Sequence, residues 1–167
     1  KVAEDIIQTF PKLYKTSWIK MMKNKLGMSG KEKEDEKLIN DLLNLMEKNS
    51  VDYTNTFSDM TYETFSKGSF YKSEEFKKWY KRYINRLKNG LIAKKESFNL
   101  MRSHNPCVIP RNHNLEYVIK EAFKNNYAPL LEILTVLKKP YKKKKVSEKF
   151  TLPSDSSNRI YQTFCGT

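Results

Sequence analysis

The chain has 167 residues, of which 38% are hydrophobic and 31% charged, and it carries a formal net charge of +13 at pH 7. This length suits one globular domain, and the composition is not that of an intrinsically disordered chain. Two cysteines are too few for a disulfide-stapled secreted scaffold, and no apolar run approaches the roughly 20 residues of a membrane span.

The first predicted element is an amphipathic helix, because apolar residues recur at spacings of three and four. Pro11 marks a kink or a start in this helix, and Gly27 is placed to end it. Its apolar residues on one side are Leu13, Trp18, Ile19, Met22 and Leu26.

Capping residues predict two further helices. Asp35 is expected to cap the second helix, and Asp52 the third, with Val51 as a hydrophobic staple. The apolar residues of these helices are Leu38, Ile39, Leu42, Leu43 and Met46 in the second and Tyr53, Phe57 and Met60 in the third. Residues 61–72 are expected to form a loop.

Ser73, followed by Glu74 and Glu75, predicts the start of a fourth helix, since a hydroxyl cap and acidic residues favour the positive end of the helix dipole. Its aromatic and aliphatic stripe consists of Phe76, Trp79, Tyr80, Tyr83, Ile84 and Leu87. The basic residues between them are Lys77, Lys78, Lys81, Arg82 and Arg86. Such a stripe could stack nucleic-acid bases, but core packing behind a solvated basic face is the favoured interpretation.

Three more helices follow. One is predicted over 93–104 and is ended by Asn105-Pro106. Another begins at Asn114, and Pro129 lies in the first turn of the third, so the last two are expected to pair in antiparallel fashion. The residues expected to point inward in this pair are Leu115, Val118, Ile119, Ala122, Phe123, Leu130, Leu131, Ile133, Leu134 and Leu137.

The predicted fold class is therefore all-α, with about six to eight amphipathic helices packed as an irregular orthogonal or antiparallel bundle. We expect a helical accessory domain over 1–141 and a basic, Ser-rich, irregular tail over 142–167. The densest basic block is 138–145, for which a solvated lysine-rich surface is favoured, while binding of a nucleic acid or an acidic protein stays open. A cytoplasmic location without a membrane partner is expected, and the opening Lys1 suggests a piece of a larger protein.

Few residues suggest catalysis, since the sequence has no Gly-rich phosphate loop, no histidine pair at metal spacing and no Gly-x-Ser-x-Gly elbow. No catalytic, cofactor-binding or metal-binding residue is expected in this chain. His104 and His113 are interpreted as capping or surface residues. Asn105, Arg111 and Asn112 are candidates for a structural clamp on carbonyls of a neighbouring helix, and Arg111 with Asn112 could instead bind an anion.

The two cysteines receive different interpretations. Cys165 lies third from the C-terminus, where an exposed thiolate would exchange with disulfides. Cys107, beside Pro106 and Val108, is expected to pack as a small hydrophobic residue. A purely architectural domain, in which Cys165 has no role, also stays open.

Several segments form a combination whose order and spacing are more specific than any one motif. They are Lys25-Leu26-Gly27-Met28, Leu42-Leu43-Asn44-Leu45-Met46, Asp52-Tyr53-Thr54 with Phe57, Asn105-Pro106, Arg111-Asn112, the Ile119 to Ala122 helix and Lys139-Pro140-Tyr141. Together these segments resemble, in order, the C-terminal region of the selenoprotein O family of pseudokinase-fold protein adenylyltransferases. The resemblance runs through nearly the whole chain.

The resemblance implies an intact enzyme that transfers AMP from ATP to protein hydroxyls, assisted by Mg²⁺. It places the nucleotide- and metal-binding residues in N-terminal kinase-like lobes, so ATP and Mg²⁺ are expected only in the intact protein, whose partners would be its protein substrates. Cys165 stands at the family's selenocysteine or cysteine position, which implies a redox-regulatory thiol that pairs with a cysteine of those lobes. Pro110 and Gly166-Thr167 depart from the family pattern, which usually has an aliphatic residue and two serines there.

Overall fold

A computed structural model describes residues 2–65, 68–143 and 148–154. Within these ranges the regular structure is entirely helical and no strand forms, which confirms the predicted all-α class. The helices in chain order are α1 (Val2–Lys25), α2 (Asp35–Lys48), α3 (Tyr53–Tyr62), α4 (Ser69–Lys72), α5 (Glu74–Lys88), α6 (Lys94–His104), α7 (Asn112–Phe123), α8 (Ala128–Leu137) and α9 (Glu148–Thr151).

The chain divides into two compact units, Lys1–Asn105 and Pro106–Thr167. The first unit contains α1 to α6 and the second contains α7 to α9. The predicted division between 1–141 and 142–167 stays a prediction, because most of that tail lies outside the described residues.

Helix α1 runs through Pro11 rather than starting there, and it ends where the sequence predicts. Gly27 has a φ of +64°, a left-handed conformation that glycine adopts without steric cost. Its N–H donates to the Asn24 carbonyl at 3.1 Å, and the Met28 N–H donates to the Lys23 carbonyl at 2.9 Å. These two bonds are the Schellman arrangement that closes a helix C-terminus.

The core of the first unit lies where α2 packs on α5. The buried apolar residues of these two helices are Leu38, Ile39, Leu42, Met46, Phe76, Trp79 and Tyr83. The indole N–H of Trp79 donates to the Leu38 carbonyl at 2.8 Å, so the polar atom of this ring is satisfied inside the core. Since Phe76, Trp79 and Tyr83 are buried, they cannot stack on nucleic-acid bases, and the core-packing interpretation of the stripe is confirmed.

Two predicted caps are present and one is displaced. The Asp52 carboxylate accepts from the Asn55 N–H at 2.8 Å, and the Ser73 hydroxyl accepts from the Phe76 N–H at 3.2 Å. Asp35 was expected to be the N-cap of α2, but Glu34 occupies that position and Asp35 is the first helical residue. The physical reason is that the Asp35 carboxylate is engaged in a buried ion pair, described below.

Three boundary predictions were wrong. Residues 61–72 were expected to be a loop, but α3 continues to Tyr62 and Ser69–Lys72 forms α4, where burial of Phe70 stabilises a helical turn. Helix α7 begins at Asn112, two residues before the predicted start. The predicted irregular tail contains α9, whose Phe150 is buried.

The second unit has a smaller set of buried residues than the sequence predicts. Helices α7 and α8 contact each other, and Pro129 lies in the first turn of α8 as expected. The residues buried here are Cys107, Val108, Val118, Ile133, Val136 and Phe150, so the expected packing of Cys107 is confirmed. The Cys107 N–H donates to the Pro140 carbonyl at 2.8 Å, which ties the segment before α7 to the segment after α8.

Several predicted core residues are exposed instead. Helical spacing identifies an apolar face but does not say what covers it, and no described residue of the chain buries these side chains. They are Leu13 in α1, Leu115, Ile119 and Phe123 in α7, and Leu131 and Leu134 in α8. Within the described ranges, none of the helices is both long enough and apolar enough to cross a membrane.

Replacing Gly27 with Ala is expected to destabilise the protein by about 3 kcal/mol, because the change adds left-handed backbone strain to a collision with α6. A Cβ at this position would lie 2.3 Å from Ser97 Oγ and 2.8 Å from the Ser97 carbonyl oxygen. Urea unfolding followed by circular dichroism measures the loss.

Gly30 provides the matched control, because its φ of +67° is nearly the same but the nearest atoms to an added Cβ lie at 3.4 Å. Gly30→Ala should therefore cost about 1 kcal/mol, the backbone contribution alone. Equal losses in the two variants would contradict the close approach of α6 to Gly27.

Candidate functional site

The C-terminus of α1 is the point where the polar groups of the first unit converge. The last carbonyls of a helix have no partner within the helix, so they need donors from elsewhere. The carbonyls of Lys25, Leu26 and Gly27 receive them from Asn105 Nδ2 at 2.7 Å, Tyr83 Oη at 2.8 Å and Ser97 Oγ at 2.8 Å, respectively. We call this set of three carbonyls and three side chains the carbonyl junction.

Asn105 connects three helices at the carbonyl junction. It is completely buried and also donates to Thr61 Oγ1 at 2.8 Å, and the Thr61 hydroxyl in turn donates to the Phe57 carbonyl. One carboxamide thus connects the end of α1 to α3 from a position directly after α6. This geometry suits the clamp role that the sequence suggests for Asn105.

Lys25 lies beside the carbonyl junction as a largely buried cation. Its Nζ donates to the His104 carbonyl at 3.2 Å, at the C-terminal and therefore partly negative end of α6. The same Nζ lies 4.8 Å from the centre of the Phe57 ring and 5.3 Å from that of Tyr53. Burial lowers the pKa of Lys25 below its ordinary value, and the two aromatic faces favour the charged form.

Arg86 was predicted to belong to a solvated basic face, and this was wrong. Its side chain is only 6% exposed, with Nε 2.6 Å from Asp35 Oδ1 and Nη2 3.2 Å from Asp35 Oδ2. Nη2 also donates to the Ser29 carbonyl at 2.7 Å, and Lys23 Nζ lies 2.9 Å from Asp35. A buried guanidinium needs such paired acceptors, which here lie on the loop after α1 and the start of α2.

Burial by itself would raise the pKa of the Asp35 carboxyl, but the hydrogen bonds from Arg86 and Lys23 outweigh this effect and hold the pKa below its ordinary value. The sequence did contain a pattern from which the burial of Arg86 could have been predicted. Arg86 follows Tyr83 by three residues and Trp79 by seven, which places it on the buried stripe of α5. Its acceptors could not be identified, because Asp35 lies 51 residues away along the chain.

The remaining candidate residues are distributed differently. His104 Nδ1 lies 2.8 Å from the Leu100 carbonyl oxygen and Nε2 lies 3.2 Å from Asn24 Nδ2, so both ring nitrogens contact protein atoms. Arg111 precedes α7 and the exposed Asn112 begins it, both in the second unit, and their clamp role stays a prediction. Cys165 lies outside the described residues, so its redox role also stays a prediction.

The N-terminal half of α1 carries an exposed apolar row that no described residue covers. Its members are Ile6, Ile7, Phe10, Leu13 and Tyr14, each at least 60% exposed. They lie at helical spacing on the part of α1 that precedes its salt bridge from Lys15 to Glu36 of α2. We call this surface the α1 arm row.

Comparison with known proteins now identifies the family. The family model for protein adenylyltransferase SelO matches residues 1–138, which include the carbonyl junction, the buried Arg86–Asp35 pair and the α1 arm row. The chain belongs to the SelO family. The resemblance to this family is thus confirmed, and all of its segments except Lys139-Pro140-Tyr141 lie within the matched residues. Two of them, Lys25–Met28 and Asn105-Pro106, meet at the carbonyl junction through Asn105.

Curated relatives from bacteria match the chain along its whole length. A protein named protein nucleotidyltransferase YdiU from Nitrosococcus oceani is 42% identical over 167 residues, which cover 99% of this chain. Proteins of the same name from Bacillus cereus strain AH820 and Bacillus anthracis are each 39% identical over 168 residues and cover all of it. In each case the match spans only 34% of the relative's own length, so the chain corresponds to about one third of these SelO family relatives.

Replacing Asn105 with Ala is expected to cost about 3 kcal/mol of unfolding free energy, because the buried Lys25 carbonyl and the Thr61 hydroxyl each lose a donor. Thermal and urea unfolding measure the loss. Asn99 of α6 is the control, since it is exposed, and Asn99→Ala should change the stability by no more than about 0.5 kcal/mol. A similar small effect for both variants would show that Asn105 is not a clamp.

Proposed function

We propose that this chain is the C-terminal helical part of a protein adenylyltransferase. The intact polypeptide would transfer AMP from ATP to Ser, Thr and Tyr hydroxyls of proteins, and this part would support and regulate kinase-like catalytic lobes. The SelO family membership and the nucleotidyltransferase names of the relatives support the proposal. The chain matches 34% of the length of these relatives, so about two thirds of their length is available for such lobes.

The observation that carries the supporting role is the α1 arm row. Its residues span positions 6 to 14 and therefore about 12 Å of helix, the length over which an amphipathic helix presents anchors to a hydrophobic groove. Burial of an apolar side chain contributes roughly 1.5 to 3 kcal/mol of favourable free energy, which these five side chains do not gain while they stay in water. We propose that the catalytic lobes bury this row.

ATP and Mg²⁺ are assigned by the same proposal to the lobes rather than to this chain. Among the described residues, no group of three His, Cys, Asp or Glu side chains could hold a metal ion. The proposal gives no residue of this part a catalytic role, and its contribution would be to the stability and position of the lobes.

The arm row is tested by Phe10→Ser combined with Leu13→Ser in the intact polypeptide. Adenylyl transfer to protein acceptors, followed with a labelled ATP, should fall about tenfold or more, because the lobes lose two buried contacts and with them their position. The control is Leu91→Ser, since Leu91 is 84% exposed but lies outside the row, and its transfer activity should be unchanged.

The same double substitution in the isolated 167-residue chain should leave its unfolding temperature unchanged, since both side chains are exposed there. Wild-type activity of the intact double variant would contradict the docking role of the row. Micromolar binding of Mg-ATP to the isolated chain would contradict the assignment of the nucleotide site to the lobes.

The regulatory part of the proposal concerns Cys165. Its thiol would exchange with an external small-molecule disulfide, and a thiol of the lobes would then attack the mixed disulfide, so that the two cysteines join and two small thiols leave. The resulting disulfide would control access to the nucleotide site. In the intact polypeptide, adenylyl transfer should respond to dithiothreitol, and Cys165→Ser should abolish this response. Cys107→Ser is the control, because Cys107 is buried and its replacement should keep the response. A response that survives Cys165→Ser would favour a purely architectural C-terminal part.

A further inference from the structure

Helices α7 and α8 of the second unit also carry exposed apolar side chains. Within each helix these residues lie three or four positions apart, Leu115, Ile119 and Phe123 in α7 and Leu131 and Leu134 in α8, and Tyr127 directly precedes α8. Their exposed fractions range from 36% for Leu115 to 86% for Phe123. We call this surface the hairpin row, which consists of Leu115, Ile119, Phe123, Tyr127, Leu131 and Leu134. Phe123 and Tyr127 lie on either side of the short turn that joins the two helices.

The surroundings of the hairpin row are positively charged. Exposed lysines lie next to the row or continue it: Lys120, Lys124, Lys138 and Lys139. Of the nearby carboxylates, Glu121 is paired with Lys124 at 2.7 Å and Glu132 with Lys149 at 2.5 Å, whereas Glu116 lies four residues before Lys120 and offsets part of the positive charge of α7. Lys120 directly follows Ile119, and Lys138 lies four residues after Leu134 and therefore on the same side of α8.

We propose that the hairpin row binds an acidic amphipathic helix of a separate protein. Two helices in contact offer a groove that a third can fill, and side chains spaced by three and four residues match the ridges of such a helix. Leucine or phenylalanine anchors of the partner would cover the row. Its aspartates and glutamates would face the lysines, which provide electrostatic complementarity.

Other occupants fit these features less well. A second copy of the chain would bring the same lysines and another net charge of +13, so the two surfaces would repel each other. A nucleic acid would satisfy the lysines but would leave the aliphatic side chains without an apolar partner.

The test uses the intact polypeptide without nucleotide and a fluorescein-labelled synthetic peptide of about 18 residues, long enough for a helix of several turns. The peptide carries Leu and Phe at helical spacing and Glu at the other positions. Fluorescence anisotropy should show saturable binding that weakens as salt is raised. A peptide of the same composition with the apolar spacing scrambled should not bind.

Variants locate the site. Phe123→Ser and Leu131→Ser should each weaken binding about tenfold, because each removes an apolar anchor contact. Lys120→Glu combined with Lys138→Glu should weaken binding and reduce its dependence on salt. Leu91→Ser again serves as the control with an exposed apolar residue elsewhere, and it should bind the peptide like the wild type. Because the altered side chains are exposed, unchanged unfolding temperatures verify that folding is intact.

Several results would overturn this proposal. With the peptide, these results are absence of binding, equal binding of the scrambled peptide, and wild-type affinity in the Phe123→Ser and Leu131→Ser variants. In sedimentation, a dimer of the polypeptide that Leu131→Ser dissociates would indicate a second copy as the occupant. Binding only to phosphatidylserine vesicles or only to duplex RNA would indicate a membrane or a nucleic acid instead. Absence of binding by the intact polypeptide would mean that its other parts already cover the row. None of these readouts involves adenylyl transfer, so a failure here is distinguishable from a failure of the proposed enzymatic function.

Discussion

The carbonyls at the C-terminus of α1, which have no partners within the helix, are the constraint on which the first unit depends. A helix that ends inside a protein must have its last carbonyls paired, and here the donors come from α5, α6 and Asn105. Because Gly27 has no side chain, Ser97 can approach closely enough to donate. The same three bonds that satisfy α1 therefore fix the positions of α5 and α6 around it.

This arrangement has a consequence for the other end of α1. The C-terminal half of the helix is held by the carbonyl junction and by the buried side chains of Met22 and Leu26, whereas the arm row at residues 6–14 has no cover among the described residues. A 24-residue helix that is fixed at one end only is a rigid way to present apolar anchors at a defined distance from a folded unit. The proposed docking of catalytic lobes on the row follows from this asymmetry.

Local signals in the sequence were sufficient to predict much of the fold. The caps at Asp52 and Ser73 and the stop at Gly27 depend on residues within one turn of each helix end, so they could be identified without tertiary information. The pairing of Arg86 with Asp35 could not be predicted in this way. The two residues are 51 positions apart in the sequence, and only the packing of α2 on α5 brings them together. Phe123 and Leu131 were assigned to the core for a related reason, since periodicity shows that a face is apolar but not which surface covers it.

Hydrogen–deuterium exchange of the α1 amides tests whether the two ends of this helix differ in cover and whether the catalytic lobes bury the arm row. Helical amides without tertiary cover open readily, so residues 6–14 should exchange fast in the isolated chain, while residues around the buried Met22, next to the carbonyl junction, should exchange slowly. In the intact polypeptide the account predicts that the amides of residues 6–14 become protected as well, because the catalytic lobes bury the arm row. Exchange of residues 6–14 at the same fast rate in both proteins would contradict it.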